Sequence, residues 1–242
     1  MKVKITDLEK SFGEKKAVNI ENLTINDNEI LGIVGNNGAG KTTLFKLMLD
    51  LLKPDKGTVE LTFKKGIGST FTTNVRVDED WKSHTGTYID ESFLIDFLTP
   101  EEYFEFVAKA NNVTKEELSN KLNQFKTFAN NELFNKNKLI RNMSAGNKQK
   151  IGIISAFINT PQLVILDEPF NFLDPTSQNN LKQILQEYKE QTNSTIIISS
   201  HNLSHTIDIS DRIIVMEYGN VVRDIKDSDK DVQKELEQYF NR

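Results

Sequence analysis

The sequence predicts an α/β fold with a mostly parallel core sheet. Short continuous apolar runs recur along it: Ile30-Leu31-Gly32-Ile33-Val34, Leu163-Val164-Ile165-Leu166, Thr195-Ile196-Ile197-Ile198 and Ile213-Ile214-Val215-Met216. Runs without polar alternation suit strands covered on both faces, as in a sheet between helical layers. Stretches with helical spacing of apolar residues lie between them. The loop Gly35-Asn36-Asn37-Gly38-Ala39-Gly40-Lys41-Thr42 joins the first run to a helix starting Thr43-Leu44-Phe45, and it fits G-x-x-x-x-G-K-[ST].

Strand, glycine loop and helix form the context in which that pattern has a chemical meaning. Glycines let the backbone curl so that successive N–H groups point inward at phosphate oxygens. The helix N-terminus adds partial positive charge at the same place. Lys41 would reach the β- and γ-phosphates, and the Thr42 hydroxyl would ligate Mg²⁺.

Residues 1–63 are strand-rich. Val3 and Ile5, Val18 and Ile20, and Leu23 and Ile25 alternate with polar neighbours. Asn26-Asp27-Asn28 marks the turn before the glycine-loop strand. Lys53-Pro54-Asp55-Lys56-Gly57 ends the helix after that loop, and Thr58–Phe63 alternates like an edge strand. Residues 64–86, with Gly66, Gly68, Gly86 and Trp81, show no clean period and read as loop with short strands.

Residues 92–160 predict helices. Thr99-Pro100-Glu101-Glu102 combines an N-cap, a first-position proline and a capping-box glutamate, and Thr114-Lys115-Glu116-Glu117 repeats the box. Tyr103, Val107 and Ala110 share one helical face; Leu118, Leu122 and Phe125 share another. Phe104, Phe106 and Phe128 are assigned to the core. From Pro161 strands and helices alternate again. Asp174-Pro175 starts a helix with Leu181, Ile184, Leu185 and Tyr188 on one face. Gly219-Asn220 turns the last apolar run into Val221-Val222, and residues 227–242 predict a polar helix.

Composition narrows the class. The chain has 242 residues, room for one large domain or two lobes, and its 37% hydrophobic and 27% charged content suits a soluble globular protein. A net charge of -5 without a basic face gives no reason to expect a nucleic-acid partner. With no cysteine, disulfides and thiolate metal sites are excluded, which suits a reducing cytoplasm. Met1–Ile5 lacks the apolar run of a signal peptide. Runs such as Ile151–Ile158 fall far short of the roughly 20 residues that cross a bilayer, so a membrane role would come through a partner.

Asp167-Glu168 ends an apolar strand in two acids. Carboxylates at the carboxyl end of a buried strand lie in the crevice where open α/β sheets bind ligands. Mg²⁺ would offset the cost of burying them. Asp167 is therefore read as a Mg²⁺ holder acting through water, and Glu168 as the general base that polarises an attacking water. His201, after the strand Thr195–Ser199, could donate to a γ-phosphate; taken alone it also fits an ordinary turn histidine. His84 and His205 read as structural or surface residues, and the three histidines are too scattered for a metal site.

Together these residues resemble the ATP-binding subunit of ABC transporters over nearly the whole chain. The glycine loop matches its Walker A motif, and Leu163–Pro169 its Walker B strand. Asn171-Phe172-Leu173-Asp174 is similar to the D-loop, and Ser199-Ser200-His201 to the switch-histidine segment. Met143-Ser144-Ala145-Gly146-Asn147 stands where the signature belongs, and Phe12 stands at the adenine-stacking aromatic. Departures are Met143, Ala145 and Asn147 within the signature, which usually reads Leu-Ser-Gly-Gly-Gln, and Glu91 where the family has the Q-loop glutamine.

The resemblance implies a single ABC-type ATP-binding domain over residues 1–242. Residues 1–91 and 159–242 would form the core lobe, including an N-terminal antiparallel β subdomain, and 92–158 a helical subdomain. It implies ATP and Mg²⁺ as cofactors. Lys41, Glu168 and His201 would be catalytic, and Thr42, Asp167 and Glu91 would face the metal. Phe12, Gly35 to Thr43, Ser144, Gly146 and Asp174 would bind nucleotide. Each ATP would lie between one subunit's glycine loop and the Ser144-capped helix of a second subunit in a head-to-tail dimer. The expected function is hydrolysis that powers a separate integral-membrane permease, of exporter type, at the inner face of the cell membrane. The alternatives are a soluble ABC-type ATPase uncoupled from transport, such as an iron–sulfur assembly factor, and a non-hydrolysing nucleotide clamp.

Overall fold

The alternating residues at the start of the chain pair as a hairpin. In the computed structural model, which describes residues 1–66, 68–129, 133, 138–201 and 203–226, β1 (Lys2–Phe12) and β2 (Lys15–Ile25) run antiparallel, with Val3 opposite Ile25 and Ile5 opposite Leu23. The glycine-loop strand is β3 (Ile30–Val34), followed by α1 (Lys41–Met48), β4 (Lys56–Lys64), β5 (Thr70–Asn74) and β6 (Thr85–Tyr88). Helices α2 (Pro100–Ala110), α3 (Lys115–Gln124), α4 (Lys126–Ala129) and α5 (Ala145–Ser155) come next. The chain then forms β7 (Leu163–Leu166), α6 (Pro175–Thr192), β8 (Thr195–Ser200), α7 (Leu203–Ile207), β9 (Arg212–Glu217) and β10 (Asn220–Lys226).

The strands make two sheets. One is antiparallel, in the order β2-β1-β4-β5; the other runs β10-β9-β3-β8-β7-β6 and is parallel except for β10. In the second sheet β8 lies between β3 and β7. The loops after Val34, Leu166 and Ser200 therefore leave from one sheet edge, and that edge carries the chemistry.

Both faces of the parallel sheet are covered, which explains its unbroken apolar strands. Ile196 and Ile198 pack with α5, α6 and the helical stretch, among them Phe104, Phe128 and Phe157. Ile197 and Ile165 face the antiparallel sheet and α1, with Phe45 and Phe63. Local signals place the helices well. Thr99 and Thr114 both form complete capping boxes, Ser144 caps α5, and Asp174 caps α6 with Pro175 in its first turn.

Some expectations need correction. Thr58–Phe63 is not an edge strand, because β5 from the unperiodic segment pairs along β4. That segment also supplies β6, the edge of the parallel sheet. The first helix ends at Met48, before the proline turn, with Asp50 in a left-handed conformation. Phe106 is 53% exposed, because Tyr103, Phe104 and Ala108 take the buried side of α2; Ala110 is exposed as well. The polar helix expected over 227–242 lies outside the described residues.

Gly86 is where β6 meets the chain leaving α5. A β-carbon there would lie 1.7 Å from the Ala156 carbonyl oxygen, a main-chain atom that cannot turn aside. Gly86→Ala is expected to destabilise the fold by about 3 kcal/mol in urea unfolding. Thr99→Ala, which loses only a cap, is expected to cost about 1 kcal/mol.

Candidate functional site

The glycine loop sets the geometry of its own lysine. Gly40 has φ +109°, and a β-carbon on it would stand 2.2 Å from the Ala17 carbonyl oxygen, so only glycine fits as the chain enters α1. Ala39 N–H donates to the Asn36 carbonyl at 3.0 Å and closes the turn. The buried Lys41 ammonium donates to the Gly35 carbonyl at 2.6 Å and lies 3.3 Å from Glu168 Oε1.

Asp167 is buried at the end of β7 and takes a hydroxyl on each oxygen. Thr42 donates to Oδ2 and Ser199 to Oδ1, both through short bonds. The Asp167 N–H donates to the Tyr88 carbonyl at 2.9 Å, tying β7 to β6. Ser199 Oγ also accepts from the Glu168 N–H at 2.8 Å. Glu168 itself sits at φ +46°, a conformation that costs a non-glycine residue energy and persists only under such restraint. Its carboxylate is held by Lys41 on one oxygen and by His201 on the other, with Nδ1 at 2.8 Å and the His201 main-chain N–H at 3.2 Å. Against an ionised carboxylate, Nδ1 is the donor.

Phe12, Lys15, Ala17, the stretch from Asn37 to Thr43, and Glu168 line a cleft of about 290 Å³. Phe12 is 53% exposed at its mouth. A cation-lined cleft with curled backbone amides and hydroxyls suits a polyphosphate.

The remaining predicted residues lie elsewhere. Ser144 is exposed at the start of α5, where its hydroxyl accepts from the Asn147 N–H, and it does not line the cleft. Gly146 lies under the Phe172 carbonyl, 2.6 Å from where its β-carbon would be. Asp174 spends its carboxylate capping α6, and the Ser177 hydroxyl and amide hold it below the usual carboxylate range. Glu91 is not among the cleft-lining residues; its carboxylate pairs with Lys148 at 2.9 Å. Ser199, Lys15 and Gln149 were not singled out by sequence reasoning. Gln149 donates to the Glu168 carbonyl at 3.1 Å. The available signals were a hydroxyl on the strand beside the two acids and a cation just after Phe12.

A family model described as ABC transporter matches residues 18–171. The chain belongs to the ABC transporter family. It is an ABC ATP-binding subunit and an ATPase. It is 34% identical over 228 residues to the bacitracin transport ATP-binding protein BcrA of Enterococcus faecalis, covering 94% of this chain and 70% of the relative. It is 30% identical to the zinc import ATP-binding protein ZnuC of Rickettsia conorii, covering 88% and 82%. Among solved structures, the dimeric post-hydrolysis state of the ATP-binding cassette MJ0796 bound to ADP and Pi superposes with TM-score 0.77 at 26% identity, covering 93% of this chain and 98% of that one.

Burial raises the Asp167 carboxyl above its ordinary 3.8, against the hydroxyl bonds from Ser199 and Thr42 that lower it. The folded ABC subunit therefore holds that proton more tightly than the unfolded chain. The resulting stabilisation is complete at low pH and is lost as pH rises through the folded value. Without nucleotide or metal, Asp167→Asn should gain stability relative to the parent as pH rises from about 4 to about 7. Urea midpoints across that range check this; a difference independent of pH would refute the burial account.

Proposed function

We propose that this chain is the ATP-hydrolysing subunit that drives a separate integral-membrane permease, in an exporter. The observation that carries the catalytic part is Glu168, held between Lys41 and His201 at the lip of the phosphate cleft. In the proposed reaction, Glu168 draws the proton from a water whose oxygen attacks the γ-phosphorus as the bond to the ADP oxygen breaks. Lys41 and the loop amides from Gly35 to Thr43 bear the phosphate charge. His201 orients Glu168 by donating from Nδ1; a neutral ring has that one donor, so a bond from Nε2 to the γ-phosphate as well would require the imidazolium form. Phe12 stacks on the base.

Thr42 and Asp167 fit Mg²⁺. Both offer hard oxygen donors and already meet in a hydrogen bond. Among the described residues no group of three or more histidine, cysteine or acidic side chains could hold a metal. That suits an ion which keeps waters and phosphate oxygens in its shell. Bound there, Mg²⁺ would neutralise charge on the β- and γ-phosphates.

The nucleotide site is proposed to be completed by a second copy, whose Ser144 and Gly146 at the start of α5 face the γ-phosphate and whose Asp174 lies alongside. The dimeric MJ0796 cassette supports this arrangement. Residues 92–158 are proposed as a helical subdomain beside a core lobe of 1–91 and 159–242. No helix among the described residues is long and apolar enough to cross a membrane. Attachment to the inner face of the cell membrane is proposed to run through the permease, and exposed Phe93 and Phe97 support such docking. Among the relatives the bacitracin transport proteins, 34% and 30% identical, are named without a direction and the zinc protein is an importer, so direction rests on the vesicle test that follows.

Glu168→Gln is expected to retain ATP binding and to lose turnover by about 10²-fold or more, while Lys41→Ala loses both. Nucleotide binding and phosphate release measured on the same samples test this, and near-parental turnover of Glu168→Gln removes that residue from the role. For direction, inside-out vesicles carrying the chain with its permease should accumulate cargo only with ATP. ATP-driven uptake confined to right-side-out vesicles would make it an importer.

A further inference from the structure

We propose that Glu91 is a positioning residue for hydrolysis, acting through Lys148; this rests on the roles given above to Asp167 and Glu168. Glu91 begins a short 3₁₀ turn, Glu91–Phe93, three residues beyond the end of β6, and Asp90 caps that turn by accepting from the Ser92 N–H. The Lys148 ammonium lies 2.9 Å from Glu91 Oε2. Lys148 belongs to the first turn of α5, the positive end of the helix dipole, and that turn carries no acid of its own. Glu91 supplies the missing negative charge from outside the helix.

Both ends of the pair lead back to the site. From Glu91 the chain runs back to Tyr88, whose carbonyl accepts from the Asp167 N–H. From Lys148 it runs on to buried Gln149, which donates to the Glu168 carbonyl. The Tyr88 ring fills the space a side chain on Gly152 would need, with Cε2 2.0 Å from that β-carbon position, so β6 and α5 also touch directly. The contacts form a circuit: Asp167, Tyr88, Glu91, Lys148, Gln149, Glu168. Its other joints are covalent links, one main-chain hydrogen bond, the part-buried bond from the Gln149 side chain, and buried packing. The ion pair is the joint open to water, since the Glu91 side chain is 62% exposed. An exposed pair adds little to global stability. Here it sets where the first turn of α5 stands against the two acids, and an error there acts on turnover.

The test uses the full chain with Mg-ATP and three variants: Glu91→Lys, Lys148→Glu, and the swap carrying both. Each single reversal is expected to lower kcat about tenfold, with KM for ATP within about twofold of the parent and the thermal midpoint unchanged. The swap should return kcat to within about threefold of the parent, because it restores an attractive pair. Added salt should lower parental kcat more steeply than that of Glu91→Gln/Lys148→Gln. Singles equal to the parent, or a swap no better than the singles, overturn the proposal. A loss confined to the Glu91 variants with a shift in Mg²⁺ half-saturation also overturns it, by assigning Glu91 to the metal. Glu168→Gln run alongside separates the readings: turnover lost there without rescue by the swap overturns the positioning role alone, and turnover retained there overturns both.

Discussion

A buried carboxylate with a hydroxyl on each oxygen fixes the register of the catalytic edge. Asp167 would cost several kcal/mol in an apolar interior if left unpaired. Thr42 from α1 and Ser199 from β8 pair it, while its own amide is taken by Tyr88 at the end of β6. Those three partners come from segments far apart in sequence. A one-residue slip of β8 would turn Ser199 away to the opposite face of the sheet. The same hydroxyl accepts the Glu168 N–H, so one serine satisfies the neighbouring amide and binds the acid.

That arrangement also explains the strained backbone at Glu168. Its left-handed φ turns the carboxylate toward Lys41 and His201 immediately after a straight strand. The cost of order 1–3 kcal/mol for such a residue is carried by neighbours: Ser199 on its amide, Gln149 on its carbonyl, and Lys41 and His201 on its carboxylate. The acid is thereby oriented by the fold and not by its own rotamer preferences. Electrostatic catalysis gains from groups that need not reorganise when charge develops.

Features written in adjacent residues were legible in the sequence. The glycine loop, both capping boxes, the Asp174-Pro175 start of α6 and the four apolar strands depend on local spacing, and the structure has each of them. Features fixed by distant partners were not. β5 and β6 are short and rich in threonine, with Gly86 in β6, and owe their strand conformation to β4 and β7. Short strands were expected in residues 64–86, but not their pairing, so β4 looked like an edge. Phe106 follows Tyr103 at helical spacing, yet α2 has room on its buried side for Phe104 and Ala108 instead. At the site, motif residues were legible because phosphate chemistry constrains type and spacing together. Ser199 and Gln149 were not, since a serine or glutamine acquires its role only from what the fold places against it.

The substituted signature shows why a sequence departure must be weighed against what each position touches. Gly146 is required within the chain: the Phe172 carbonyl occupies the space of its β-carbon, so this glycine serves the packing of α5 against the loop after Glu168. Ala145 is exposed at the start of α5. Ser144 has already committed its hydroxyl to the helix cap, and the remaining first-turn amides point outward with the dipole. An alanine in place of the family's first glycine therefore leaves the fold and the cap intact. In the proposed arrangement its consequence would arise where the second subunit's nucleotide approaches that turn, which would make position 145 bear on how closely the turn can be approached and not on whether it forms.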